Sequence, residues 1–202
     1  MKIFINPVGC RSAGIGRGKL PDGTTVRGID IVFDISLMLY QMLEIRTDNT
    51  IFLARHNDEC ISDEPNVACE EIERANLANK LRANCAISLS MRENKRNHMD
   101  RGWAMTYARI KTTKSKYLAN SIRTSLKKRV PLPNRYFKGN ISFFNCACKC
   151  DAVHIDVATI SNPQDLEWIV NPENQYLFAS AIYEGMKHMY GLRFKVKSEL
   201  AG

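Results

Sequence analysis

Short apolar runs alternate along this chain with longer stretches of helical periodicity, and that alternation limits the fold more than any other feature. Strand-like runs stand at 2–6, 50–54, 86–90, 103–110, 141–144 and 152–157. Between them, residues 29–43 carry apolar side chains at 29, 32, 33, 37, 39, 40 and 43, mostly one helical stripe. A helix is expected at 69–81, where Glu70, Glu71 and Glu73 suit the positive end of a helix dipole. Further helices are expected at 116–128, stopped before Pro131 and Pro133, and at 163–169 and 176–190. A loop rich in glycine (Gly9, Gly14, Gly16, Gly18) follows the first strand and matches no phosphate-loop or dinucleotide fingerprint. With no repeats and no long linker, the pattern implies one α/β domain over residues 1–202. Its sheet is expected to be mostly parallel, with about five or six strands and helices on both faces.

Composition supports a packed domain. The 202 residues are 45% hydrophobic, which excludes a disordered chain, and 11 Gly with 7 Pro exclude a collagen-like one. No transmembrane segment is expected, because no run reaches about 18 apolar residues. The opening from Met1 to Pro7 lacks the apolar stretch of roughly 7–15 residues that a secretory signal needs. A cytoplasmic location is therefore expected for the chain as written, with the cell envelope reached by lysis or another export route.

Charge is unevenly placed. Residues 92–138 hold 14 Lys or Arg against Glu93 and Asp100, a net of +12, whereas the other 155 residues hold 15 basic and 19 acidic groups, a net of −4. Such a surplus attracts a polyanion, whether nucleic acid, an anionic membrane face or the acidic polymers of a bacterial wall, unless it is simply a set of solvated helix faces. The aromatics there (Trp103, Tyr107, Tyr117, Tyr136, Phe137) match no RNA-binding signature.

The seven cysteines lie at 10, 60, 69, 85, 146, 148 and 150. An odd count in a chain this long argues against a disulfide framework, so reduced, space-filling thiols are expected. The triplet Cys146, Cys148, Cys150 lacks the spacing of a zinc knuckle. On a strand its three sulfurs would share one face.

One stretch is more specific: Ile160-Ser161-Asn162-Pro163-Gln164-Asp165-Leu166, then Asn171-Pro172-Glu173, then Ala179 to Gly185. With Ala54-Arg55-His56-Asn57-Asp58, Glu73-Arg74, Ala78-Asn79, Ile87-Ser88-Leu89 and Leu118-Ala119 with Ile122, these resemble the zinc-dependent N-acetylmuramoyl-L-alanine amidases of bacterial cell walls, the amidase-3 type. The resemblance runs from residue 2 to about 192 in matching order and spacing. It implies hydrolysis of the amide between muramic acid and the L-alanine of the stem peptide. In that chemistry two histidines and a glutamate hold zinc, and a second glutamate is the general base.

Carried over position by position, the resemblance places the metal ligands on Gly9 or Cys10, on Gly28 (two residues before Asp30) and on Ser90. The general base falls on Asp156, five residues before Ser161. Glycine offers no side-chain donor and neutral serine is a poor zinc ligand, so the first coordination shell is missing and no cofactor is expected. The leading expectation is a non-catalytic binding or regulatory homologue in peptidoglycan metabolism, with a peptidoglycan fragment or a protein as partner. Its cleft is expected at Cys10, Arg11, Ser90, Arg92, His154 and Asp156, with Arg92 suited to a stem-peptide carboxylate.

An alternative is an active amidase whose zinc site is rebuilt from Cys10, His154 and Cys148 or Cys150; His154 and Asp156 then share a strand face. Against it, His154 stands at an apolar position of the family and reads as a satisfied core histidine. Hydrolysis by a metal-free Cys10 or Ser90 nucleophile lacks an oriented base other than His154 or Asp156. A third alternative is nucleic-acid binding through 92–138. His56 and His188 fall away from the expected cleft, and His98 has no identifiable partner.

Overall fold

The computed structural model describes residues 1–10, 16–56, 59–63, 66–94, 96–97, 99–109, 114–139 and 142–192. Eight strands and six helices follow in the order β1 (Lys2–Pro7), β2 (Arg17–Lys19), β3 (Thr25–Arg27), α1 (Gly28–Arg46), β4 (Thr50–Leu53), α2 (Val67–Lys80), β5 (Cys85–Arg92), β6 (Trp103–Tyr107), α3 (Ser115–Arg129), β7 (Asn134–Gly139), α4 (Phe143–Ala147), β8 (Asp151–Thr159), α5 (Pro163–Ile169) and α6 (Pro172–Tyr190). Six strands form one sheet in the order β4-β1-β5-β8-β6-β7, and β2 with β3 form a small antiparallel ribbon. Strands β4, β1, β5 and β8 pair in parallel; β6 runs antiparallel to β8 and parallel to β7. This is the mostly parallel, doubly covered sheet expected from the alternation of runs.

Two local expectations change. The run at 141–144 is not a strand: Ser142 accepts a hydrogen bond from Asn145 N and caps the short helix α4, while residues 140 and 141 lie outside the described set. The sixth strand is instead β7, just beyond the prolines that end α3. As an edge strand pairing with β6, it needs no fully apolar sequence. The 103–110 run forms strand only to Tyr107, with Ile110 outside the described residues.

Side-chain alternation divides the sheet into two unlike faces. Ile3, Ile5, Ile87, Leu89, Val153 and Ile155 join α1, α3, α5 and α6 in the main core. The other face is thinner: Phe4, Ala86 and Ala152 stand side by side in register and meet Ala75 and Ala78 of α2 and Phe144 of α4. Two residues further along each strand, that face turns polar.

The Ser161–Asp165 turn is a structural clasp. Asn162 accepts from Asp165 N and caps α5, with Pro163 at its first turn. The buried Asp165 carboxylate accepts from Thr159 N and Gly102 N, fastening the ends of β8 and the start of β6 together. Gly185 has an equally physical reason: a Cβ there would lie 2.5 Å from Ile122 Cα, so α3 and α6 cross with backbones nearly touching. Gly185→Ala is expected to cost about 1–3 kcal/mol by forcing the helices apart, measured as a lower urea midpoint with unchanged denaturant slope.

Candidate functional site

The polar continuation of the thin face lies toward the carboxyl ends of β1, β5 and β8, where open parallel sheets place their clefts. Asn6, Ser88, His154 and Thr106 stand in register across four strands, and Ser90 lies beside Asp156 one layer further out. Asn6 Nδ2 donates to Ser88 Oγ at 3.0 Å, and His154 Nδ1 lies 3.0 Å from the same oxygen. The other ring nitrogen, Nε2, lies 3.5 Å from Asp156 Oδ1, and Glu71 of α2 approaches Nδ1 at 3.6 Å. Tyr136 of β7 donates to Asp156 Oδ2 at 3.1 Å. His154 is thus a satisfied buried histidine, as expected, and it does share a face with Asp156.

Burial by itself lowers the His154 pKa, but the Asp156 and Glu71 carboxylates outweigh it and raise the value. Burial likewise raises Asp156, and His154, Tyr136 and Arg92 together hold its carboxyl below the usual range. The Tyr136 hydroxyl is pushed up to about 12 by burial and by Asp156. The ring is therefore shared between two carboxylates that favour its charged form. Ser88, His154 and Asp156 follow one another as a nucleophile, base and acid would, yet Ser88 is fully enclosed and its oxygen accepts from Asn6, so no substrate can reach it.

Arg92 and Arg135 converge on Asp100 at the rim. Burial and the neighbouring Arg92 charge lower the Arg135 pKa. Ser90 Oγ donates to Met91 O at 3.3 Å. Gly28 opens α1 and contributes backbone only, its N–H donating to Gly16 O at 3.1 Å.

Cys10 is buried and joined to Cys60 by a disulfide. That corrects the expectation of uniformly reduced, space-filling thiols, and it occupies the sulfur as either ligand or nucleophile. Cys148 and Cys150 precede β8, and Asp151 pairs with Cys85 at the start of β5. His154 is four residues beyond Cys150, about 13 Å along the strand, and among the described residues neither Cys148 nor Cys150 joins Cys10 and His154 in one cluster of ligand atoms. Its cysteines do not share a strand face either: Cys146 is exposed on α4 and Cys148 caps that helix. Among the described residues, the donors that converge are Cys10, Cys60 and Glu70. Arg11 and His98 lie outside the described residues; His56 and His188 are exposed, and His188 lines a groove between α3 and α6.

Sequence reasoning missed the partners. Asn6 and Ser88 were visible as polar interruptions of apolar strands, but Glu71, Tyr136, Arg135 and Asp100 reach the site from elements far apart in sequence. Arg74 was visible only as part of a motif. Its buried guanidinium donates to Pro7 O (3.0 Å) and to Glu70 (2.8 Å) and so holds the turn that carries Gly9 and Cys10.

Among the described residues, the basic side chains of 92–138 are spread over several elements. Arg92 and Arg135 serve the rim, Arg123 stacks on Phe137 at 4.9 Å, and Lys127, Lys128 and Arg129 close α3, where cations suit the dipole. A groove of about 580 Å³ between α3 and α6 includes Lys128, Arg129 and His188.

His154→Leu leaves two buried carboxylates without their cation and is expected to cost about 3–5 kcal/mol. Because the folded pKa of His154 is raised, its contribution is complete below the ordinary value of 6.5 and is lost as pH rises through the raised value. Urea unfolding at pH 5.5 and pH 9 should therefore show the gap between wild type and variant narrowing at the higher pH.

Solved structures share this architecture. An N-acetylmuramoyl-L-alanine amidase from Clostridium difficile 630 superposes with a TM-score of 0.80 at 22% identity, over 93% of this chain and 95% of its own. The catalytic domain of CwlV from Bacillus (Paenibacillus) polymyxa var. colistinus gives 0.80 at 17% identity, over 95% and 99%. The CwlD amidase of Clostridioides difficile, in complex with the GerS lipoprotein, gives 0.76 at 22%, over 94% and 98%. At these identities the likeness is one of fold, and no curated protein matches by sequence comparison alone. The sequence profile of the N-acetylmuramoyl-L-alanine amidases does match, over residues 14–188. With most of the chain inside that match and the fold in agreement, the protein belongs to the N-acetylmuramoyl-L-alanine amidase family.

Proposed function

We propose that this chain is an amidase-family protein of peptidoglycan metabolism that binds stem peptide or a protein partner and does not carry out the family's zinc-dependent hydrolysis. The observation that carries the reading is the content of the three places that answer to the family's ligands. Gly28 has no side chain, the Ser90 hydroxyl is turned onto its own backbone, and Gly9 is followed by a Cys10 whose sulfur is bonded to Cys60. These residues do not fit zinc, which takes three nitrogen, sulfur or carboxylate ligands in a hydrolytic site. Asp156, at the general-base position, is held by His154 and Tyr136 and keeps its charge as half of a buried pair.

What remains is a cleft with an anion-binding rim. Arg92 and Arg135 face one another across Asp100, and a stem-peptide carboxylate competing for them would make charge-assisted bonds of the same kind. A protein partner is compatible with the same surface; the CwlD amidase is seen in complex with a lipoprotein.

The test is incubation with purified muropeptide, in zinc-supplemented buffer, under reducing and under oxidising conditions, with a zinc amidase as positive control. No released stem peptide is expected by mass spectrometry in either state, together with retention of the protein on sedimented peptidoglycan. Stem-peptide release, or no retention on peptidoglycan above that of an unrelated protein, would overturn the reading.

A further inference from the structure

We infer that Cys10, Cys60 and Glu70 form a thiolate-based site for a divalent cation of zinc type, of which the Cys10–Cys60 disulfide is the oxidised, metal-free form. One ligand atom from each residue lies within 4.8 Å of the others. A tetrahedral zinc with sulfur at its usual distance separates two thiolates by about 3.8 Å, so a small opening of the reduced pair suffices. The three donors come from separate places in the sequence: the turn after β1, the loop before α2, and the first turn of α2.

The carboxylate is prepared for such a role. Glu70 is 1% exposed and cannot be swung into solvent. Its Oε2 accepts from Arg74 Nε (3.1 Å) and Nη2 (2.8 Å), and its Oε1 accepts from Ser62 N at 2.7 Å. An ionised carboxyl has about four acceptor positions, so one remains after these three bonds. Orientation by such bonds is what fixes a metal-ligating carboxylate. Charge also balances: two thiolates and Glu70 against Arg74 leave two negative charges, which one divalent cation neutralises. Soft sulfur donors with one carboxylate select zinc over magnesium or calcium. Three protein donors leave the fourth position to water.

The exchange between the two forms is a two-electron step. The Cys10 and Cys60 thiolates lose two electrons and form the sulfur–sulfur bond. A low-molecular-weight disulfide accepts the electrons, its own sulfur–sulfur bond breaks, and it leaves as two thiols after taking protons from water; the cation departs to solvent. Both forms fasten the turn after β1 to the loop before α2. This site shares Cys10 with the first of the three family ligand places but uses none of Gly28, Ser90 or Asp156, so a metal held here lies without the family's other ligands and base, and the cleft reading is tested separately from it.

The test uses the full chain, reduced by a phosphine without oxygen, loaded with zinc chloride, desalted and measured by elemental mass spectrometry. About one zinc per chain is expected. The metal should fall at least tenfold after treatment with oxidised glutathione, with a mass-identified Cys10–Cys60 linkage, and equally in Cys60→Ser. Cys148→Ser, outside the cluster, should keep the metal. Cobalt in place of zinc should give a thiolate-to-metal absorption band, which a nonspecific surface ion would not. Reduced wild type holding no more zinc than Cys60→Ser overturns the inference and leaves the cleft reading untouched. Zinc bound without stem-peptide release supports both. Release that depends on Cys60 would keep the metal site and overturn the cleft reading.

Discussion

Arg74 carries a full positive charge into a position with almost no solvent, and much of the site is arranged around neutralising it. Its guanidinium is forked between the Glu70 carboxylate and the carbonyl oxygens of Pro7 and Gly9. A buried charge left without such partners costs several kcal/mol, so the turn after β1 has little freedom. That turn presents Cys10, and the same Glu70 receives the backbone of Ser62 in the loop that carries Cys60. One ion pair between successive turns of α2 thus sets where the first strand ends and which sulfur its neighbour meets.

A second buried charge organises the middle of the thin face. The His154 ring sits between Asp156 and Glu71, with Ser88 and Asn6 continuing the hydrogen bonds toward β1. Each member satisfies another, which is the condition under which a buried polar network is tolerated. The cleft therefore has the character of a charged, self-paired floor beneath a rim of arginines. The charges of that floor are engaged with one another.

Much of the fold was legible because it depends on local patterns. Short apolar runs and helical stripes mark β1, β4, β5, β8 and the main helices whatever the tertiary context. The Ser161–Asp165 turn was legible for a similar reason: Asn162, Pro163 and Asp165 cap a helix through contacts three residues apart. β7 was hidden because an edge strand that pairs with one neighbour needs no apolar alternation. The helix at Phe143–Ala147 was hidden because its aromatic pair reads equally as a strand, and only the cap at Ser142 decides between them.

The site divides along the same line. Spacing within the chain placed Asp156 and His154 on one face, because strand alternation is a property of sequence order. Pairing of Cys10 with Cys60, of Arg135 with Asp100 and of Glu71 with His154 are contacts between residues 50, 35 and 83 positions apart. Closing such distances depends on how α2 lies across the sheet and on the order of the strands, and no local periodicity encodes either. The sequence by itself determined the family and the layered α/β fold. Only the tertiary structure decided which charges and which sulfurs face one another there, since burial alone makes an unpaired charge costly enough to dictate its partner.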